Sequence, residues 1–159
     1  MENMRLDNCI RVCAAVIRKD GRILICTRPE GKHLAGMWEF PGGKIHDDES
    51  IQESLRRELK EELGVNVFAA DQIFEIFHTY PEKTVRIHFL RTFIDDSLEN
   101  LHPMEGQKLM WASTEEMGKL CFVPADIPFF EFLKKNARES RGKMEEDEGA
   151  CRKTRKEYG

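Results

Sequence analysis

Between Gly43 and Val65 the chain reads GKIHDDESIQESLRRELKEELGV, and this stretch restricts the fold more than any other. Ile51, Leu55, Leu59 and Leu63 recur every four residues, the apolar stripe of a helix that must lie on another layer. Asp47, Asp48 and Ser50 supply capping and dipole-favouring groups ahead of the stripe, and Gly64 stops it. Glu58, Glu61 and Glu62 stand at i, i+3 and i+4, so a helix gathers them into one carboxylate patch. At roughly 100° per residue, Glu62 falls inside the apolar sector, between Ile51 and Leu55. Burying an unpaired carboxylate there is costly.

Three like charges so close repel one another unless a cation lies among them. Hard oxygen donors suit Mg²⁺, with Mn²⁺ as a substitute, rather than zinc. The ordinary alternative is a solvated acidic face balanced by Arg56 and Lys60. The glycine-rich entry and the Gly64 stop favour the metal reading.

Gly43, five residues, Glu49, seven residues and then Arg57-Glu58-Leu59-Lys60-Glu61-Glu62-Leu63-Gly64-Val65 resemble the complete Nudix box, with no departure. The preceding Trp38-Glu39-Phe40-Pro41-Gly42 resembles the MutT-like branch, which includes oxidised-dGTP and CTP pyrophosphohydrolases. The likeness runs from about Arg11 to about Lys134. It implies an α/β (α+β) Nudix fold, a mixed β-sheet sandwiched between helices. The expected domain is residues 1–136, followed by a charged, solvated or disordered tail at 137–159, where apolar residues nearly vanish.

For the site, the resemblance implies metal ligands at Glu58, Glu61 and Glu62, the carbonyl of Gly42, and a remote carboxylate at Glu105. Deprotonation of the attacking water falls to Glu58 or Glu105, with Glu58 favoured, since a metal-bound water needs only a modest base. Arg57 lies off the apolar stripe and Glu49 is about two turns back, so an Arg57–Glu49 ion pair, with Gly43 behind, would orient the catalytic carboxylates. Substrate contacts are implied at Arg28, His33, Glu39, Phe40, Pro41, Gly42, Lys83 and Asp126. Arg28 suits a phosphate, or a surface salt bridge. His33 is a loop histidine that need touch nothing, and Phe40 is as well suited to the core as to stacking.

Asp126 departs from MutT itself, which has an amide there. An ionised aspartate only accepts, favouring the exocyclic amine of cytosine or 2-oxo-adenine; a protonated one also donates and would admit oxidised guanine. Standing before Ile127-Pro128, it is equally an N-cap of the last helix. Pro124-Ala125-Asp126-Ile127-Pro128 resembles the CTP pyrophosphohydrolase type.

The expected activity is Mg²⁺-dependent hydrolysis of a modified or oxidised nucleoside triphosphate to the monophosphate and pyrophosphate, sanitising the nucleotide pool. Candidate substrates are 8-oxo-dGTP, CTP or dCTP and their 5-substituted forms, and 2-oxo-dATP. The alternatives are hydrolysis of another nucleoside diphosphate linked to X, and a non-catalytic Nudix-fold sensor. Sensors often lose box carboxylates, which this chain keeps.

Composition bounds the rest. With 159 residues, 40% apolar and 34% charged, the chain suits one globular domain. No apolar run is long enough to span a membrane, and MENMRLDNC lacks the apolar core of a signal peptide, so a cytoplasmic location is expected. Five cysteines without CxxC spacing read as thiols rather than disulfides or a zinc site. A net charge of −4 argues against a nucleic-acid polymer as partner; the partner is the nucleoside triphosphate, and the chain is a monomer or homodimer.

Along the chain, Ile10 to Arg18 carries apolar residues of both parities, a central strand buried on both faces. Asp20-Gly21 predicts a hairpin into a strand at Arg22 to Thr27. Long strands follow at Val65 to Thr79 and Thr84 to Ile94, and a short one at Gln107 to Ala112. Ser113 and Glu116 resemble a capping box, and Pro124 to Asn136 predicts a final helix with Ile127, Phe130 and Leu133 facing inward.

Overall fold

The computed structural model describes residues 9–146, with side chains to residue 137. Strand β1 (Cys9–Lys19) turns through Asp20-Gly21 into β2 (Arg22–Thr27). Both turn residues have positive φ, 51° and 76°, as a two-residue hairpin with the twist of its strands requires. After a loop come β3 (Trp38–Glu39) and β4 (Gly42–Lys44), then helix α1 (Ile51–Leu63). Strands β5 (Val67–Thr79) and β6 (Thr84–Ile94) form the long hairpin, followed by β7 (Leu109–Ala112), α2 (Thr114–Met117) and α3 (Ile127–Glu146).

The sheet is mixed, in the order β3-β2-β1-β6-β5, with β4 on β1 and β7 on β2. Strand β1 runs parallel to β6 from Cys9↔Thr84 to Ile17↔Thr92, while β5 is antiparallel to β6. The double parity of β1 explains its central place. Ala14 and Val16 enter a core with Phe129, Phe130 and Leu133 of α3, whereas Cys13, Ala15 and Ile17 pack with Leu55, Leu59 and Leu63 of α1. The sheet thus lies between helices.

Helix α1 begins where its chemistry says it should. The Ser50 hydroxyl accepts from Glu53 N–H, the Glu53 carboxylate accepts from Ser50 N–H, and Gly64 closes the far end. Its three fully buried leucines each contribute roughly 2 kcal/mol of apolar transfer, against a few tenths per like-charge pair on the exposed face. Packing therefore holds the acidic helix in place. The Ser113–Glu116 capping box also forms, over α2.

Helix α3 differs from expectation at both ends. A 3-10 turn occupies Pro124–Asp126, so the α-helical face starts three residues late and is rotated. Ile127 is 44% exposed, Phe129 takes the expected inward place, and Phe130 and Leu133 do face inward. The helix continues to Glu146, ten residues past the boundary at 136. The remainder of the expected tail lies outside the described residues. Cys9, Cys13, Cys26 and Cys121 are free thiols; Cys151 is outside the described residues. Burial pushes the Cys13 thiol up to about 12, which makes it unreactive. Among the described residues no helix is long and apolar enough to cross a membrane.

Candidate active site

One cleft of about 680 Å³ opens between the β1–β4 edge, helix α1, the loop after β2 and the turn before α3. Its two ends differ in chemistry. At the acidic end stand Gly42, Gly43, Arg57, Glu58, Glu61 and Glu62. At the other end, Phe40, Tyr80, Ile87 and Asp126 present apolar surface around one buried carboxyl.

The acidic end is organised by Arg57. Its Nε donates to Glu49 Oε2 at 2.9 Å and its Nη2 to Glu49 Oε1 at 3.0 Å, a two-pronged pair. Nη1 reaches Glu58 Oε1 at 2.9 Å and Glu61 Oε2 at 3.4 Å, and Nη2 also donates to the Lys44 carbonyl. Ser54, buried on α1, donates its hydroxyl to Glu49 Oε1. The hydrogen bonds from Arg57, then those from Ser54 and the His46 backbone, hold the Glu49 carboxyl down at about 2. Arg56 and Lys60, the partners of the solvated-face alternative, form no ion pair with the trio among the described residues.

Two glycines set how closely the strand approaches the acids. A Cβ at Gly43 would fall on the Glu58 carboxylate, so the missing side chain is the space that Glu58 uses. A Cβ at Gly42 would collide with the Cys13 carbonyl, so Gly42 belongs to the β1–β4 contact as well as to the cleft.

Within the trio, Glu62 is the acid whose carboxyl is shifted. It lies partly buried, and its side chain makes no hydrogen bond among the described residues. Burial, then the charges of Glu58, Glu39 and Glu105, push its carboxyl up to about 8. A carboxyl crowded by acids and short of protein donors suits a hard divalent cation. Among the described residues no three acidic, histidine or cysteine side chains stand together at ligand distances, and Arg57 bridges Glu58 and Glu61. The donor types, oxygen carboxylates on one helix, fit such an ion.

Three expected residues lie off the cleft wall. Pro41 turns its carbonyl to Ala15 N–H at 2.7 Å and ties the loop to β1. Glu49 stands behind Arg57, where the ion-pair reading puts it. Glu105 reaches across to Lys32, its Oε2 lying 3.7 Å from Nζ, and affects Glu62 by charge.

Toward the apolar end, Arg28 adopts the salt-bridge alternative within the cleft wall. Nη1 donates to Glu39 Oε2 at 2.8 Å and Nε to the His33 carbonyl at 2.6 Å. Burial pushes the Glu39 carboxyl up, and Arg28 pulls it back. The His33 ring meets Tyr80 edge-on at 5.6 Å, and Lys83 lines the same rim. Phe40 is 3% exposed and wedged against Phe89, Phe122 and Phe129, so its ring belongs chiefly to the core.

The N-cap reading of Asp126 is overturned. Its Oδ2 accepts from Phe40 N–H at 3.3 Å, and its side chain accepts no hydrogen bond from the first turn of α3 among the described residues. The turn swings the carboxyl away from α3 and into the cleft, where it is 4% exposed. Burial, and next the charge of Glu39, push its carboxyl up to about 8. Tyr80 and Lys32 also line the cleft without having been expected there. Tyr80 beside Pro81 at a hairpin tip carried a weak signal, and Lys32 in a polar loop carried none.

Comparison with known proteins agrees with this arrangement. The NUDIX domain family matches residues 12–131. The CTP pyrophosphohydrolase of Escherichia coli (strain K12) is 38% identical over 122 residues, covering 77% of this chain and 89% of that protein. The 8-oxo-dGTP diphosphatase of Proteus vulgaris is 36% identical over 81 residues, covering 50% of this chain and 72% of that one. In three dimensions, the MutT protein from Methanosarcina mazei Go1 superposes with a TM-score of 0.70 at 27% identity, covering 81% of this chain and 95% of the other. With its box intact and its carboxylates beside a nucleotide-sized cleft, the chain belongs to the Nudix family as a MutT-like hydrolase.

Proposed function

We propose that this Nudix hydrolase cleaves a modified or oxidised nucleoside triphosphate to the monophosphate and pyrophosphate, with Mg²⁺ and with Mn²⁺ as a substitute. The observation that carries this reading is the two-ended cleft, in which a crowded carboxylate set adjoins an apolar pocket holding one buried carboxyl. Its volume is that of a single-ligand site.

Glu58, Glu61, Glu62 and the Gly42 carbonyl would hold the metal, with Glu105 joining from its loop. A divalent ion there supplies charge neutralisation at the phosphates and a more acidic bound water. Glu58, fixed by Arg57 and given room by Gly43, is the favoured base, with Glu105 the other candidate. Arg57 spans Glu49, Glu58 and Glu61, so it sets their orientation before substrate arrives.

Asp126 supplies the base contact. With its carboxyl near 8, it is mostly protonated at neutral pH and offers both an O–H donor and an acceptor, which suits an oxidised guanine. Above that value it only accepts, which suits the amine of cytosine. The relatives named for 8-oxo-dGTP and for CTP span these two edges. A cytoplasmic site of action accompanies such a substrate.

Pyrophosphate release from a panel of 8-oxo-dGTP, CTP, dCTP, 5-substituted dCTP and 2-oxo-dATP, ranked by kcat/KM with and without Mg²⁺, tests the proposal. Metal-dependent turnover of one or more members is expected. Binding without turnover of any member would leave the sensor reading in its place.

A further inference from the structure

Lys32 is a cation that lines the same cleft as Glu58, Glu61 and Glu62 but comes from the loop after β2. Its Nζ lies 3.7 Å from Glu105 Oε2, and its side chain is half exposed. Its charge also reaches Glu39 and Glu62, where it opposes the effect of burial on both carboxyls.

Both supporting loops are braced. The Lys32 loop is closed at its base by Arg28 N–H to the Met37 carbonyl at 2.8 Å and Gly36 N–H to the Arg28 carbonyl at 2.9 Å. Glu105 is held by its N–H to Gln107 Oε1 at 2.9 Å, while Gln107 Nε2 and Met104 N–H both donate to the Glu62 carbonyl at the end of α1. Lys32 therefore links one braced loop to the loop that carries Glu105.

Arg28 and Lys32 differ in how firmly they are held. Arg28 is fixed to Glu39 and the His33 carbonyl, two short contacts in a planar fork. Lys32 has a single, longer, exposed contact, which is weak, on a stem with four rotatable carbons. A divalent ion and an ammonium competing for the same carboxylates repel each other. The phosphate chain of a substrate offers the displaced ammonium a new anionic partner within reach of the same cleft.

We propose that Lys32 is a phosphate-binding residue that rests on Glu105 in the free protein and moves to the phosphate chain of the substrate when a metal ion takes the acids. This inference rests on the function proposed above. It implies opposite signs for two bindings: Lys32 hinders the metal alone and helps the metal–phosphate complex.

The experiment measures Mn²⁺ alone by the electron paramagnetic resonance of the free ion, and inorganic pyrophosphate in the presence of saturating Mn²⁺ by calorimetry. Wild type, Lys32→Met and Lys32→Arg are compared. Lys32→Met should bind Mn²⁺ about threefold more tightly, the scale of one exposed ion pair, and pyrophosphate about tenfold more weakly. Lys32→Arg should restore both values toward wild type. Unchanged or weakened Mn²⁺ binding in Lys32→Met, or unchanged pyrophosphate binding, overturns the inference. Should wild type itself bind no Mn²⁺, the metal-site reading fails first and takes the inference with it. A loop that merely lost its structure would weaken both bindings together, which also counts against it.

Discussion

The two ends of the cleft are built by different routes. At the acidic end, Gly43, Glu49, Ser54, Arg57, Glu58, Glu61 and Glu62 come from one continuous stretch, with helix periodicity and a single arginine setting their geometry. The apolar end draws Phe40 from the loop after β3, Tyr80 from the hairpin tip and Asp126 from a 3-10 turn 86 residues from Phe40. A locally encoded site resists change elsewhere in the fold. On the proposed function, a locally encoded end would carry the chemistry, and an end assembled from three loops would set a preference that one substitution can alter.

The largest expected effect lies at the acidic end. Glu62→Gln should lower kcat about a thousandfold or more, because on the proposed function it removes a carboxylate that would hold the metal. In the presence of a chelator the same variant should be no less stable than wild type. The Glu62 carboxyl lies at about 8 in the folded protein against an ordinary 4.5, so the folded state holds the extra proton. Its contribution to stability therefore falls as pH rises between those values, and glutamine removes that loss. Thermal unfolding at pH 9 with chelator, beside steady-state kinetics, checks both halves; a large drop in Tm would show that Glu62 is structural.

The paired glycines sharpen the comparison next. Gly43→Ala should reduce kcat about tenfold to a hundredfold with little change in Tm, since the new methyl displaces only the end of the Glu58 side chain. Gly42→Ala should instead destabilise the fold by at least about 2 kcal/mol, since its methyl meets the backbone of Cys13 and Ala14. Urea unfolding alongside kinetics separates the two, and identical behaviour would break the distinction drawn between them.

At the base end, Asp126→Asn should change the kcat/KM ratio between 8-oxo-dGTP and CTP by about tenfold and flatten its pH dependence. In wild type the ratio should favour oxidised guanine below pH 8 and move toward CTP above it. The stability sign follows the same logic as Glu62. A carboxyl at about 8 when folded, against an ordinary 3.8, costs stability increasingly as pH rises from about 4 to 8, then levels off. The asparagine variant should lack that slope. A pH-independent ratio in wild type would remove Asp126 from base reading.

The smallest effect belongs to Ile127, exposed on α3 beside the buried Phe129. Ile127→Ser should alter stability by less than about 0.5 kcal/mol, whereas Phe129→Ala should cost about 3–5 kcal/mol. Urea unfolding of the pair reads the rotation of that helix directly.

Much of the molecule was legible along the chain alone. The hairpin at Asp20-Gly21, strand β2, the Ser50 and Ser113 caps, the end of α1 and the Arg57–Glu49 pair all rest on interactions within a few turns of chain. So did the anomaly of Glu62, because a charged residue in an apolar sector is a matter of angle alone. The partner of Arg28, the core position of Phe40, the rotation that exposes Ile127 and the reach of Lys32 were not. Each depends on how separate elements pack, and no spacing along the chain records that.

Asp126 marks the boundary between the two kinds of information. The sequence by itself determined that an aspartate follows Pro124-Ala125 at the edge of a helix, and that a box of acids lies at helical spacing far upstream. Only the tertiary structure decided that a 3-10 turn aims this carboxyl at Phe40 N–H rather than along α3. The physical reason is range: capping and periodicity act over about one turn of backbone, whereas burial and the field of distant carboxylates exist only after the layers have closed.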